Sequence, residues 1–316
     1  MRKFKTLVVA LLVAMMVLVG CGKKDTTTTE TKPETKTETK PEVKEEKKEE
    51  TPAPATFEGG INVVSREEGS GTRGAFTEIT KIVSKNEAGE EVDHTTLEAT
   101  IANATDAVLT TVSSDKSAIG YISLASLNSD VKALKINGAE ATPAEITAGN
   151  YPIARPFVLC YKEADLDELS KDFLKFCMST EGQKIVEEDG CIPATNTESY
   201  KPANLSGQIT IAGSTSVTPL MEQLIDAYKA LNPEFKADLQ STGSGAGIQS
   251  VTEGVAQIGM SSRALKDEEK ANLQYETLGM DGIAVIVNND NPTEDLTVDQ
   301  IKAIYTGEVT DWKDVK

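Results

Sequence analysis

Three short runs of Ser, Thr and Gly each lead into an apolar-periodic segment. They are Gly69-Ser70-Gly71-Thr72, Gly213-Ser214-Thr215-Ser216 and Thr242-Gly243-Ser244-Gly245. A helix that begins at such a run aims backbone N–H groups and hydroxyls at one spot, and this is the chemistry of anion binding. Arg66, which precedes Ser70 by four residues, supplies a forked cationic donor suited to the oxygens of a tetrahedral oxyanion. Ser70, Thr72, Thr215, Ser216, Ser244 and Ser262 each add a hydroxyl, and the glycines let backbone approach closely. Any one run is equally well explained as an N-cap and turn. Three runs with Arg66 imply one oxyanion held by converging loops.

Other chemistries fit less well. No run supplies the lysine of a Walker A loop. Ser70, Ser216 and Ser244 all lack the Gly-x-Ser-x-Gly frame of a nucleophile elbow. The one histidine, His94, lies in a polar stretch and reads as a solvated side chain. A surface hydrolase built on Ser216 or Ser70 would need it as base. The many Asp and Glu read as a solvated face, so no metal and no cofactor is expected.

Elements that would position these residues alternate along the chain. Ile61–Val64, Ala118–Ile122, Phe157–Tyr161, Ser206–Ala212, Ala237–Gln240 and Ile283–Val287 read as strands. Helices are expected at Thr72–Lys85, Asp167–Glu188, Val217–Leu231, near Ile248–Glu253, and after Thr297 as N-cap. Strand–helix alternation implies an α/β architecture with functional loops at the carboxyl ends of strands.

The chain has 316 residues and a formal net charge of −18. Without a basic stripe, nucleic acid is excluded as a partner. An anion must be held by local donors against the global field. Arg2, Lys3 and Lys5 precede an apolar stretch, Leu7 to Val19, that ends in Leu18-Val19-Gly20-Cys21. The stretch is short against the ~20 residues of a spanning helix. It reads as a secretory signal, residues 1–21, with Cys21 in a lipobox-like position for lipidation. Residues 22–58, almost all Thr, Lys, Glu and Pro, read as a disordered tether. The expected location is the extracytoplasmic face of the cell membrane, through a lipid anchor. Of the remaining cysteines, Cys160 reads as core. Cys177 and Cys191 are open between free thiols and a disulfide.

The segments Ile211–Val217, Gly243–Ile248, Ile258–Arg263, Asp281–Asn288 and Ile304–Gly307 resemble the first half of the phosphate-binding proteins of phosphate ABC transporters. Val63–Phe76 resembles the second half of the same family. The resemblance implies a two-lobed, type II periplasmic-binding-protein-like α/β fold with a ligand cleft between lobes. It implies phosphate contacts at Arg66, Ser70, Gly71, Thr72, Thr215, Ser216, Ser244 and Ser262. It also implies membrane permease subunits as partners, a monomer, and no catalysis. Where many members carry an Asp, this chain has Ser262. Discrimination against sulfate must then rest on Ser262 or on another acceptor such as Asp281 or Glu67. Sulfate or molybdate binding, and a sensing or adhesion role, stay open as alternatives.

The order of the segments differs from the family's. The motif around Arg66 should follow Tyr305–Trp312, yet it precedes everything. The chain therefore reads as a circular permutant. One lobe, 155–280, should be continuous. The other should be split into 59–154 plus 281–316. The rival reading, two misjoined fragments, predicts a body that fails to fold.

Overall fold

In the computed structural model the described residues are 57–195 and 197–315. The expected signal, Cys21 and most of the tether lie outside them. Phe57 and Glu58, assigned to the tether, lie inside. Phe57 packs on Trp312 with ring centroids 6.3 Å apart, so the packed body includes residue 57.

The body is α/β, as the alternation of elements predicts. Its ten-stranded sheet carries eight strands in the order Phe235–Ser241, Gly207–Gly213, Ile258–Ser261, Ala154–Tyr161, Gln274–Asn288, Ala118–Ser123, Asn62–Arg66 and Thr100–Ala102. Two parallel groups flank the sheet's centre. Gly207–Gly213 pairs with Phe235–Ser241 and Ile258–Ser261. Asn62–Arg66 pairs with Thr100–Ala102 and Ala118–Ser123. Between the groups run two long strands, Ala154–Tyr161 and Gln274–Asn288, antiparallel to each other and to their outer neighbours. The first part of Gln274–Asn288 pairs with Ala154–Tyr161, and its last residues pair with Ala118–Ser123.

Buried apolar side chains divide along the same line. Phe157, Phe173, Phe176, Ile211, Leu220, Leu224, Tyr228 and Ile258 belong to one cluster. Val63, Phe76, Tyr121, Ile153, Ile283, Val285, Tyr305 and Trp312 belong to another. The second cluster draws on two stretches far apart in sequence. Residues 59–61 also pair directly with residues 310–312. Gly60 and Asp311 form an antiparallel bridge, Ile61 N donates to Thr310 O at 2.8 Å, and Trp312 N donates to Gly59 O at 3.0 Å.

Several element boundaries differ from the sequence reading. The helix expected over Thr72–Lys85 spans Gly71–Ile79. The Thr80 hydroxyl donates to the Phe76 carbonyl at 2.6 Å, Lys81 turns to φ 60°, and Val83 enters a short strand instead. The single helix expected over Asp167–Glu188 is two, Glu168–Cys177 and Thr180–Glu188. Ser179 divides them: its hydroxyl donates to Phe176 O at 2.7 Å and accepts from Gly182 N at 3.2 Å as an N-cap. The short helix near Ile248 begins earlier, at Ser244, which brings its N-terminus to the third Ser/Gly run. Thr297 caps Val298–Tyr305 as expected, within a capping box closed by Gln300. Cys160, Cys177 and Cys191 are free thiols, and all are buried.

Candidate anion site

Arg66 ends a strand that is buried from Val63 onward, and is itself 1% exposed. A buried guanidinium costs several kcal/mol unless its donors are met. Glu67 accepts from Nε and from Nη2, each at 2.8 Å. The Ala102 carbonyl accepts from Nε at 3.2 Å, and Thr215 Oγ1 accepts from Nη2 at 3.0 Å. Nη1 is buried and has no hydrogen-bond partner among the described residues. Leaving a buried donor unmet costs roughly 1–3 kcal/mol, so Nη1 is poised to receive an acceptor.

The backbone of Arg66 is held from two sides. Its N–H donates to Tyr121 Oη at 3.1 Å, and its carbonyl accepts from Arg73 Nη1 at 3.1 Å. Tyr121 is fixed by stacking on Phe76 with ring centroids 4.0 Å apart, and by a 2.9 Å contact with Ser65 Oγ. Burial pushes the Tyr121 phenol above its usual range, so it stays protonated.

The three runs converge on this cation. Ser70 is the N-cap of Gly71–Ile79; its oxygen accepts from Arg73 N at 3.3 Å, which leaves its O–H to donate elsewhere. At Gly71 an added Cβ would stand 2.3 Å from Ser244 Oγ and 2.7 Å from Ser262 Oγ. Only glycine lets this helix start approach those hydroxyls. Thr72 Oγ1 lies 2.9 Å from Ser216 Oγ. Ser244 Oγ accepts from Ser262 N at 3.0 Å and stands 3.4 Å from Ser262 Oγ. The Gly69 carbonyl accepts from Gly245 N at 2.9 Å, joining the first run to the third through backbone. At Gly213 an added Cβ would meet Met260 O at 2.2 Å, so glycine lets the second run pass directly over Ile258–Ser261. The structure thus brings together all eight residues expected from sequence. Six of them lie where helices Gly71–Ile79, Thr218–Leu231 and Ser244–Thr252 begin, Arg66 ends strand Asn62–Arg66, and Ser262 follows strand Ile258–Ser261.

Three contributors were not anticipated. Thr105, the first residue of helix Thr105–Ser114, lies 3.4 Å from Thr215 through its hydroxyl. Tyr121 and Arg73 hold Arg66 as described. Thr105 sits in Asn103-Ala104-Thr105-Asp106, where no glycine marks a close approach. Tyr121 looks like any strand aromatic until its partners are known.

The alternative acceptors weighed from sequence are both committed. Both Glu67 oxygens lie on Arg66. Asp281, 1% exposed, accepts from Arg155 Nε and Nη2, from Ser123 Oγ and from Ala125 N. Burial works against both charges of that pair, raising the Asp281 carboxyl and lowering Arg155, and each partner offsets the other's shift. Neither carboxylate is left to accept from an anion, and the residue beside Ser244 is Ser262 with its hydroxyl. His94 is exposed and pairs with Ser84 at 2.9 Å, whereas the Ser216 hydroxyl pairs with that of Thr72.

A family model described as a PBP superfamily domain matches residues 38–181 and 198–316. Phosphate-binding protein PstS 2 of Streptococcus agalactiae serotype V is 49% identical over 259 residues, 82% of this chain and 88% of that protein. Phosphate-binding protein PstS 2 of Streptococcus pneumoniae serotype 4 is 45% identical over the same shares. A crystal structure of a phosphate-binding protein of a phosphate ABC transporter from Streptococcus pneumoniae TIGR4 aligns with a TM-score of 0.67 and 44% identity, covering 82% of this chain and 100% of that one. With two matched stretches of the family model, close identity to PstS 2 proteins across most of their length, and a shared fold, this chain belongs to the PstS family of phosphate-binding proteins within the PBP superfamily.

Proposed function

We propose that this chain is an extracytoplasmic solute-binding lipoprotein. It captures inorganic phosphate between two lobes and delivers it to the permease of a phosphate ABC transporter. The observation that carries the ligand class is the orphaned Nη1 of buried Arg66. It stands among hydroxyls from three helix N-termini, and that donor set suits a tetrahedral oxyanion. The names of the relatives narrow the oxyanion to phosphate. The phosphate contacts are Arg66, Ser70, Gly71, Thr72, Thr215, Ser216, Ser244 and Ser262.

The lobes are 155–280 and, in two pieces, 59–154 plus 281–316. The two largest apolar clusters support this division, since the buried residues of one fall within 157–278 and those of the other on both remaining stretches. The permuted order is supported by the pairing of residues 59–61 with 310–312, which sets side by side the segments that run consecutively in the unpermuted family order. Closure about the crossing strands would trap the anion. Cys21, lipidated after signal cleavage, anchors the chain through the Thr/Lys/Glu/Pro tether.

Titration calorimetry with phosphate, sulfate and arsenate tests the ligand. One phosphate per monomer is expected, and no heat with any of the three would overturn the reading. Mass spectrometry of the membrane-bound protein tests the anchor. The expected form begins at an acylated Cys21, and Cys21→Ser releases the protein from the membrane.

A further inference from the structure

The candidate anion site has a second buried guanidinium behind it, which no direct ligand contact explains. Arg155 is 1% exposed and lies on Ala154–Tyr161, opposite Asp281 on Gln274–Asn288. These are the two strands that cross between the parallel groups. Just before Arg155 the chain is buried in one apolar cluster through Ile153, and just after it in the other through Phe157. Ile283 N donates to Ile153 O at 2.8 Å, so both crossings are tied together within two residues of this pair.

The Arg155 guanidinium reaches in two directions. Nε and Nη2 donate to Asp281 Oδ2 at 3.2 and 3.1 Å. Nη1 donates to the Ser262 carbonyl at 2.9 Å. Asp281 in turn accepts from the Ser123 hydroxyl at 2.9 Å. The Ser262 peptide is thus gripped at both ends: its N–H by Ser244 Oγ at 3.0 Å, its carbonyl by Arg155. Its hydroxyl is left facing Ser244 and the start of the Gly71–Ile79 helix.

An ion pair buried only for stability would be replaceable by apolar side chains of similar volume, often at no loss. The contact with Ser262 gives this pair a second task. We propose that Arg155 and Asp281 are positioning residues of the anion site. The pair locks the two crossing strands in one register, and through its carbonyl it sets the Ser262 hydroxyl against the ligand. The inference rests on the phosphate-binding reading above and adds to it a control point beneath the site.

The test separates stability from affinity. In the full chain, the double substitution Arg155→Met with Asp281→Leu removes both charges together. It is expected to melt within a few degrees of the unaltered protein. Its phosphate affinity should nevertheless fall about tenfold, mostly through faster dissociation, because the Ser262 carbonyl loses a charged donor. Arg155→Lys keeps the charge opposite Asp281 but lacks the planar fork needed to serve carboxylate and carbonyl at once. It should retain the melting temperature and bind phosphate about fivefold more weakly. A double variant that folds and binds within twofold of the unaltered protein overturns the proposal. If the double variant does not fold, Arg155→Lys decides, and affinity within twofold again overturns it. Failure of the unaltered protein to bind phosphate would instead strike the phosphate reading itself.

Discussion

Arg66 Nη2 and Thr215 Oγ1 are 3.0 Å apart although 149 residues separate them in sequence. The contact joins the end of strand Asn62–Arg66 to the turn after strand Gly207–Gly213, and so ties one parallel group to the other. Under the proposed closure, this contact belongs to the closed form and is lost when the lobes part. Thr215→Val should therefore weaken phosphate binding by about 1–2 kcal/mol, with little change in melting temperature. Arg66→Ala should cost about 2–5 kcal/mol of anion binding. Calorimetry on both variants and their combination checks this. Their effects should fall short of additive, because the two side chains share one contact.

The discrimination logic turns on Ser262. Glu67 and Asp281 are engaged by Arg66 and Arg155, and the hydroxyl at 262 both donates and accepts. Sulfate, which has no proton to offer, should therefore compete with phosphate more effectively here than at a site with a carboxylate in this position. Ser262→Asp should raise the phosphate-to-sulfate affinity ratio by about tenfold or more. Competition calorimetry of the variant against the unaltered protein gives the ratio directly.

The thiols offer a check on packing. Cys160 and Cys177 are fully buried and Cys191 is 2% exposed. Burial pushes the Cys160 thiol up to about 12 and raises Cys177 and Cys191 as well. All three should resist iodoacetamide at pH 8 in the folded protein and react promptly in urea, as read by peptide mapping. Rapid labelling of Cys177 or Cys191 in the native state would contradict the packing described above.

Half-buried Asp189 carries a pH signature. Its carboxylate accepts from Gln223 at 2.6 Å. Burial nevertheless pushes its pKa up to about 6 from 3.8. The folded chain therefore binds a proton there that the unfolded chain releases. The charged form burdens folding above about pH 6, and the burden is relieved as pH falls from 6 towards 3.8. Asp189→Asn, which keeps an acceptor for Gln223, should raise the urea midpoint at pH 7.5 and change it little at pH 4.5.

The domain plan can be tested by re-cutting the chain. Joining residue 315 to residue 57 through a short Gly linker, and opening the chain between residues 201 and 204, should give a protein that unfolds cooperatively and binds phosphate within about threefold of the original. The joined ends are adjacent and the new ends are exposed. Calorimetry and urea unfolding measure both outcomes.

Much of the site was legible because its chemistry is local. Ser70, Thr215 and Ser244 announce helix starts by type and spacing, and Gly71 marks the close approach that the structure displays. What escaped was long-range. Nothing near Thr105 tells that it will meet Thr215, because that meeting depends on how the two parallel groups are set together. Tyr121 and Arg155 read as ordinary strand residues until pairing across the sheet makes them holders of Arg66 and Ser262, and Asp281, a candidate acceptor by sequence, pairs with Arg155 instead. The helix errors have a different cause. Thr80 and Ser179 stop their helices with side-chain bonds to the preceding turn, whereas an apolar period reports only which face is buried.

The split core bears on how the protein is made. Strand Ala118–Ser123 gains its antiparallel neighbour only from residues 283–287. The cluster seeded by Val63 and Phe76 is completed by Ile283, Tyr305 and Trp312. A chain synthesised from its N-terminus therefore exposes an unfinished sheet edge and half a core while more than a hundred residues are still to come. During that interval residues 157–278 emerge and close on their own cluster. Within the packed body, the part carrying Arg66 emerges first and is completed last, so its open edge is exposed to pairing with other chains until the C-terminal stretch arrives.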